Sequence, residues 1–461
     1  MKLRPVHALS LLAACAAWSS GCQLLYDKND LTVATGGGGT GATSTTNGGT
    51  AGTGASPTTT TDSTGGTAGT GGTTTASGGG GTGGNTGGTA GTGGNTGGTG
   101  GTGGTGGSTT TTTDPPCDDP LFVLATSSAV VMCATYAPSS GWSASANMAY
   151  SSQLRPAAAL VAAESGVGVF NPGSGVQPVL AIELSPAGCG MPVAASSATT
   201  QGSLSAAALA GSVHALFKGA EGAGQDYPYD AVWDGATWSI LGQISATQAG
   251  AVPAVAASGS DLLAVYAKKA NSELTRVVYT AGAWGGESCF PGSCAAGKEL
   301  SKSGVTPGVV GLGGGAFLVV FHDFANDSLR WLTFSGGVAS ASNPIQESGG
   351  AAYPEASIDP VAMAPAPGGA VLAYRSKAGQ LVAGTFSTAS GTWSAAATPV
   401  AGPIPAGPAV ARGVCTHDAE LVYIESGGGS LQHISLTAGT WSPPTAVGGT
   451  AMKAVSLSAL P

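Results

Sequence analysis

An apolar run that closes on an aromatic residue recurs through the second part of this chain at a spacing near fifty residues. Leu262–Tyr266, Phe317–Phe321, Val371–Tyr374 and Leu421–Tyr423 align, with aromatic-to-aromatic steps of 55, 53 and 49 residues. Seven or eight residues later stands a Leu (Leu274, Leu329, Leu381, Leu431), and nine to twelve beyond it a Gly-containing turn with its marker residue. Strand-like runs open at Pro253, Pro307, Pro360 and Pro408. Carried backward, the phase gives seven turn markers: Trp142, Cys189, Trp238, Trp284, Val338, Trp393 and Trp441. Four short strands per unit at a period of 40–50 residues is the signature of a propeller. A helical array is excluded, because no long stretch of period 3.6 with caps occurs.

The expected fold is therefore all-β, a seven-bladed β-propeller over 116–461. Ring closure is expected to use both ends of that region. The first unit supplies strands at Leu121–Thr126, Ala129–Tyr136 and from Trp142 onward, while Met452–Leu460 reads as a first strand with no blade after it. Pairing Met452–Leu460 with Leu121–Thr126 would hide edges that otherwise template aggregation.

What precedes the repeat differs in composition. The chain of 461 residues has 79 Gly and only 8% charged residues, far from the usual quarter. From Val33 to Thr113 it is almost wholly Gly, Thr, Ser, Ala and Asn, with Asp62 the one charge. Such a tract has nothing to bury against the entropy of ordering. It is expected to be a disordered Gly/Thr-rich tether over 22–115, with a reach of about 50 Å as a flexible coil. Residues 1–21 read as a signal peptide: Lys2 and Arg4 precede the apolar stretch Ala8–Ala17. The segment Ser19-Ser20-Gly21-Cys22 resembles the lipobox of bacterial lipoproteins, which makes Cys22 the expected lipid attachment site. Ser19 stands where that family prefers Leu, and an ordinary signal peptide with Cys22 incidental is the alternative. The resemblance, with Gln23 after the Cys, implies the outer membrane or cell surface of a Gram-negative bacterium.

The net charge of −9, without any Lys/Arg run, excludes the basic footprint of a nucleic-acid binder. No stretch of about 20 apolar residues is present, which excludes a spanning helix.

The turns Gly282-Ala283-Trp284, Gly391-Thr392-Trp393 and Gly439-Thr440-Trp441 resemble blade turns of sialidase-like and fucose-binding-lectin-like propellers. Asp234-Gly235-Ala236-Thr237-Trp238 resembles the sialidase Asp-box, lacking one residue between Asp and Gly and the preceding Ser. In that superfamily the box is a structural turn.

Six Cys in the domain suggest disulfides in an exported protein. Cys289 with Cys294, across a Pro-Gly turn, is the best pair. Cys117 with Cys415 would join the closing seam, which leaves Cys133 with Cys189. The CxxxxC spacing lacks partners for zinc, and Asp323, Asn326 and Asp327 lack the EF-hand pattern, so neither metal nor cofactor is expected. His322 and His417, each beside an Asp, read as polar loop residues.

A sialidase-like glycosidase would need acid/base carboxylates and three Arg converging on a substrate carboxylate. The domain has five Arg, of which only Arg155 and Arg412 lie near first strands. Polar loops after Tyr266, Phe321, Tyr374 and Tyr423 carry Asn271, Asp323 and Arg375 to one face, where repeated shallow sites would suit glycan capture by avidity. The expectation is a lipid-anchored, monomeric, non-enzymatic binding protein. Arg155, Arg412, Asn271, Asp323 and Arg375 are its candidate ligand-binding residues, and a glycan or another envelope protein is its partner. A protein-binding scaffold is the alternative, and a glycosidase a further one.

Overall fold

The computed structural model describes residues 119–459, apart from 144, 153, 163–164, 174, 221–224 and 293–297. The signal peptide, the tether, Cys22, Cys117 and Cys294 lie outside the described residues.

Seven antiparallel sheets follow one another along the chain. Their innermost strands are Ala157–Ala162, Ser205–Leu209, Ala254–Ser258, Gly308–Gly313, Ala362–Ala366, Ala409–Arg412 and Met452–Ser458. Each touches the inner strand of the next sheet, all the way round, so the sheets form a closed seven-bladed β-propeller. The prolines read as strand openers stand just before these inner strands. Pro has no N–H to offer a ladder and fits a strand's threshold. Small residues keep the ring tight where inner strands converge. A Cβ at Gly311 would collide with the Ala257 carbonyl of the preceding blade.

The first blade is built from both ends of the domain. Leu121–Ser127, Val131–Ala137 and Gly141–Trp142 form its outer part. Met452–Ser458 lies antiparallel to Leu121–Ser127, with Phe122 opposite Ser458, Leu124 opposite Ser456 and Thr126 opposite Ala454. Alternation places Val455 and Leu457 in the core shared by the first and seventh blades, where Met452 also packs.

All seven turn markers fall in fourth-strand segments, and several fasten a blade to its predecessor. Trp284 of the fourth blade donates its indole N–H to Asp230 of the third at 2.8 Å. Trp393 of the sixth blade meets Trp331 of the fifth with centroids 6.5 Å apart. Trp142 of the first blade meets His433 of the seventh edge-on at 5.2 Å. Trp238 and Trp441 pack against cores that two blades share. In the second blade the marker is Cys189, and it forms a disulfide with Cys133 of the first, Cα to Cα 6.5 Å. A covalent bond thus stands where other blades use an indole. In the fifth blade the marker is Val338, which is 72% exposed and fastens nothing. There the fourth blade reaches forward instead. Arg276 lies 4.7 Å from the centroid of Phe334 and donates to Gly337 O at 3.4 Å. Cation–π contact takes over from indole packing.

Cys289 and Cys415 are also in disulfide linkage. The partners expected for them, Cys294 and Cys117, lie outside the described residues.

Candidate functional site

The loops joining second to third strands share one face, as the polar segments after Tyr266, Phe321, Tyr374 and Tyr423 imply. Their charges are largely turned on one another. Asp226 of the third blade takes Lys218 at 3.0 Å and Lys269 of the fourth at 2.6 Å. Burial alone would raise the Asp226 carboxyl, but hydrogen bonds from Lys269 and Lys218 outweigh it and hold the group below its usual range. Lys268 bridges Glu287 at 2.7 Å and Glu273 at 3.2 Å. Lys302 and Lys377 both pair with Asp327, and Lys377 with Glu355 at 3.1 Å.

The expected ligand residues of this face belong to the same arrangement. Arg375 donates to Asp359 at 3.1 Å and to Ile404 O at 2.8 Å. Asp323 accepts from Ala325 N at 2.8 Å and faces Arg330 at 3.7 Å. Asn271 accepts from Glu273 N at 3.3 Å. Asp323 and Asn326 cap exposed turns, whereas Asp327 is an ion-pair partner.

Arg155 does approach the axis. It lines an axial cavity of about 170 Å³ formed by residues at or near the inner strands of all seven blades. Its guanidinium spans the channel to Pro408 O at 2.9 Å and Pro360 O at 3.4 Å. Desolvation draws its pKa down to about 10, with Asp359 opposing. Arg412 closes its inner strand, exposed, whereas Arg155 precedes its own. Inner strands of a propeller run in one direction, so the two arginines occupy opposite ends of the channel. Arg276 and Arg330 sit in third strands. The five arginines do not converge.

His417 lies in the loop between Ala409–Arg412 and Ala419–Ile424, as expected, but His322 departs from its expected loop character. His322 ends a strand and is buried, with neither ring nitrogen hydrogen-bonded. The cause is tertiary: the strand end is covered by neighbouring elements that sequence adjacency to Asp323 does not reveal. His214 Nδ1 lies 2.7 Å from Asp230 Oδ2, beneath Trp284. The fully buried Glu420 holds His417 at 2.6 Å and His433 at 2.8 Å. These pairs meet inside blades or at seams. Among the described residues no group of three His, Cys, Asp or Glu is placed to hold a metal ion.

A separate concavity opens between the second and third blades, on the side of the turns that join first to second and third to fourth strands. Its volume is about 550 Å³. Glu183 comes to it from the third strand Gln177–Ser185, and Ser165 and Gly166 from the second strand. The wall at Gly188, Cys189 and Gly190 is pinned by the disulfide to Cys133 and by Gly190 N donating to Glu183 O at 2.9 Å. The third blade contributes Gly211, Trp233 and Gly235. Gly235 takes φ +102°, a conformation glycine tolerates, inside a turn that Asp234 ties by accepting from Thr237 N at 2.8 Å and Ala236 N at 3.0 Å. Those backbone bonds hold the Asp234 carboxyl below its usual range. The Asp-box-like turn is thus structural, and it shapes one lip of the cleft. Here an indole, a carboxylate, two hydroxyls (Ser165, Ser185) and glycine-exposed backbone converge. Sequence reading missed this site, because its residues come from two blades and Trp233 is out of phase with the turn markers.

No known family model matches the chain, and no curated protein matches it. Among solved structures, a fungal lectin from Aleuria aurantia, a six-bladed β-propeller with a fucose recognition mode, is 14% identical. It aligns over 65% of this chain and 98% of the lectin with a TM-score of 0.43. AofleA from Arthrobotrys oligospora is 12% identical over 68% of this chain and 90% of its own, TM-score 0.43. A Hadza microbial sialidase is 10% identical over 64% and 71%, TM-score 0.41.

Proposed function

We propose that this protein is an exported carbohydrate-binding module, a propeller carried on a long flexible tether and held at the outer membrane by a lipid on Cys22. The observation that carries the binding reading is the cleft between the second and third blades. Sugars present apolar C–H faces and a periphery of hydroxyls. Trp233, 8% exposed and packed in the core of the second and third blades, offers a narrow apolar strip, while Glu183, the Ser165 hydroxyl and glycine backbone offer acceptors and donors. The Ser185 hydroxyl already donates to Gly188 O at 3.0 Å and is left to accept. The rigid disulfide-pinned wall keeps that arrangement preorganised, which lowers the ordering cost of binding. The Cys133–Cys189 disulfide also supports export, since such bonds persist in oxidising compartments. Binding without turnover, by a monomer, is the simplest activity consistent with arginines engaged separately around the ring.

The test is a glycan array probed with the full chain and with Gly190→Leu. A side chain at Gly190 would press toward Glu183, whose Cβ lies 3.4 Å from the position of an added Cβ. Saturable binding by the native chain that the variant loses supports the reading. A blank array refutes it.

One observation favours a protein-binding scaffold as the second reading. Met191, Val193, Ile240 and Leu241 are exposed on or beside the adjoining outer strands Val193–Thr200 and Trp238–Gln243, an apolar rim of the kind partners cover. A blank array with a specific envelope protein captured, and capture lost in Leu241→Lys, would select that reading.

A further inference from the structure

The ionisable chemistry of the cleft is one-sided. Among its described lining residues Glu183 is the only charged one; no described Lys, Arg or His joins it. Glu183 is exposed and makes no side-chain hydrogen bond or ion pair among the described residues. On the opposite loop face Asp226, Glu273, Glu287, Asp327 and Asp359 each have a Lys or Arg partner. An unmatched carboxylate in a concavity, on a domain of net negative charge, makes that concavity a site of negative potential.

Resting on the carbohydrate reading of this cleft, we infer that it selects sugars by charge: it takes an amino sugar with its amine protonated and disfavours uronic and sialic acids. The ammonium lies against Glu183, while the sugar hydroxyls meet Ser165 and the backbone at Gly188 and Gly190. A sugar carboxylate placed in the same cleft would find no cation to receive it and one like charge to oppose it. Glu183 sits on a strand paired on both edges, with Leu184 opposite Gly166 on one side and Cys189 on the other. Because the pair is solvent-accessible, the discrimination is modest, about two- to fivefold between charged and neutral counterparts at low salt.

Isothermal titration of the full chain against a β-1,4-linked glucosamine dimer, its N-acetylated counterpart and glucuronic acid tests this, at a pH where the amine is protonated. The expected order is amine, then acetamide, then acid, with the spread shrinking as salt rises. Glu183→Gln should bring the three affinities together. Equal affinities in the native chain, or an amine preference that survives Glu183→Gln, overturn the inference while leaving carbohydrate binding intact. Failure of all three sugars to bind overturns both.

Discussion

Removing residues 452–461 should unfold the whole propeller rather than fray its last blade. In an open array the final strand stabilises only its neighbour, since repeats couple chiefly to adjacent repeats. In this ring Met452–Ser458 is the inner strand of the first blade, and Val455, Leu457 and Met452 are buried in the core it shares with the seventh. Burying three side chains of this size is worth together about 5–8 kcal/mol, before the lost ladder to Leu121–Ser127 is counted. A domain's entire stability is about 5–15 kcal/mol. Truncation therefore consumes most of it and exposes the Leu121–Ser127 edge. A milder probe is Val455→Ala, expected to cost about 2 kcal/mol and to lower Tm by roughly 3 °C in a domain of this size. Calorimetry with near-UV circular dichroism reads both, and a synthetic peptide spanning 450–461 should restore part of the truncated protein's transition. A truncated chain that melts at the native temperature would refute ring closure.

Cys133→Ser should be destabilised by up to about 4 kcal/mol, the chain-entropy value for a loop of 56 residues. Reductant should lower the native Tm and leave the variant's less changed. Trp284→Phe removes the indole donor from Asp230, which is buried and already has one oxygen unpaired; a loss of about 1–3 kcal/mol in urea denaturation is expected. His322 is buried neutral: desolvation first, then Lys302, pulls it from 6.5 to about 4 against the pull of Asp359. The unfolded chain takes up that proton first, so its contribution is intact above pH 6.5 and lost as pH falls toward 4. Full loss amounts to about 3 kcal/mol. A pH series of urea midpoints should show this slope, and His322→Leu should flatten it.

The ring was legible because its most regular features are chemically distinctive. Prolines mark the inner strands, aromatic residues end the second strands, and the marker residue of each blade sits at a turn where glycine permits the bend. Even the two departures kept phase, Cys189 and Val338. What Cys189 does was less visible, since Cys133 lies on the third strand of another blade and only the ring brings them together. The loop-face charges were visible as charges, yet Asp226 and Lys269 stand 43 residues apart, and pairing across blades leaves no local pattern. Arg155 stands just before an inner strand, and that place puts it at the axis. Its separation from Arg412 follows from which end of the strand each occupies. The cleft between the second and third blades escaped notice because a site made by juxtaposition has no contiguous motif. Glu183 reads in isolation as one acid on a half-exposed strand, and Trp233 as one more core aromatic.

The carbohydrate account is tested most directly by diffraction from crystals soaked with the sugar that binds best on the array. It predicts density for one sugar between the second and third blades, against Trp233 with a polar group on Glu183. Density confined to the opposite face around Asp323 and Arg375, or to the axial cavity at Arg155, would contradict it.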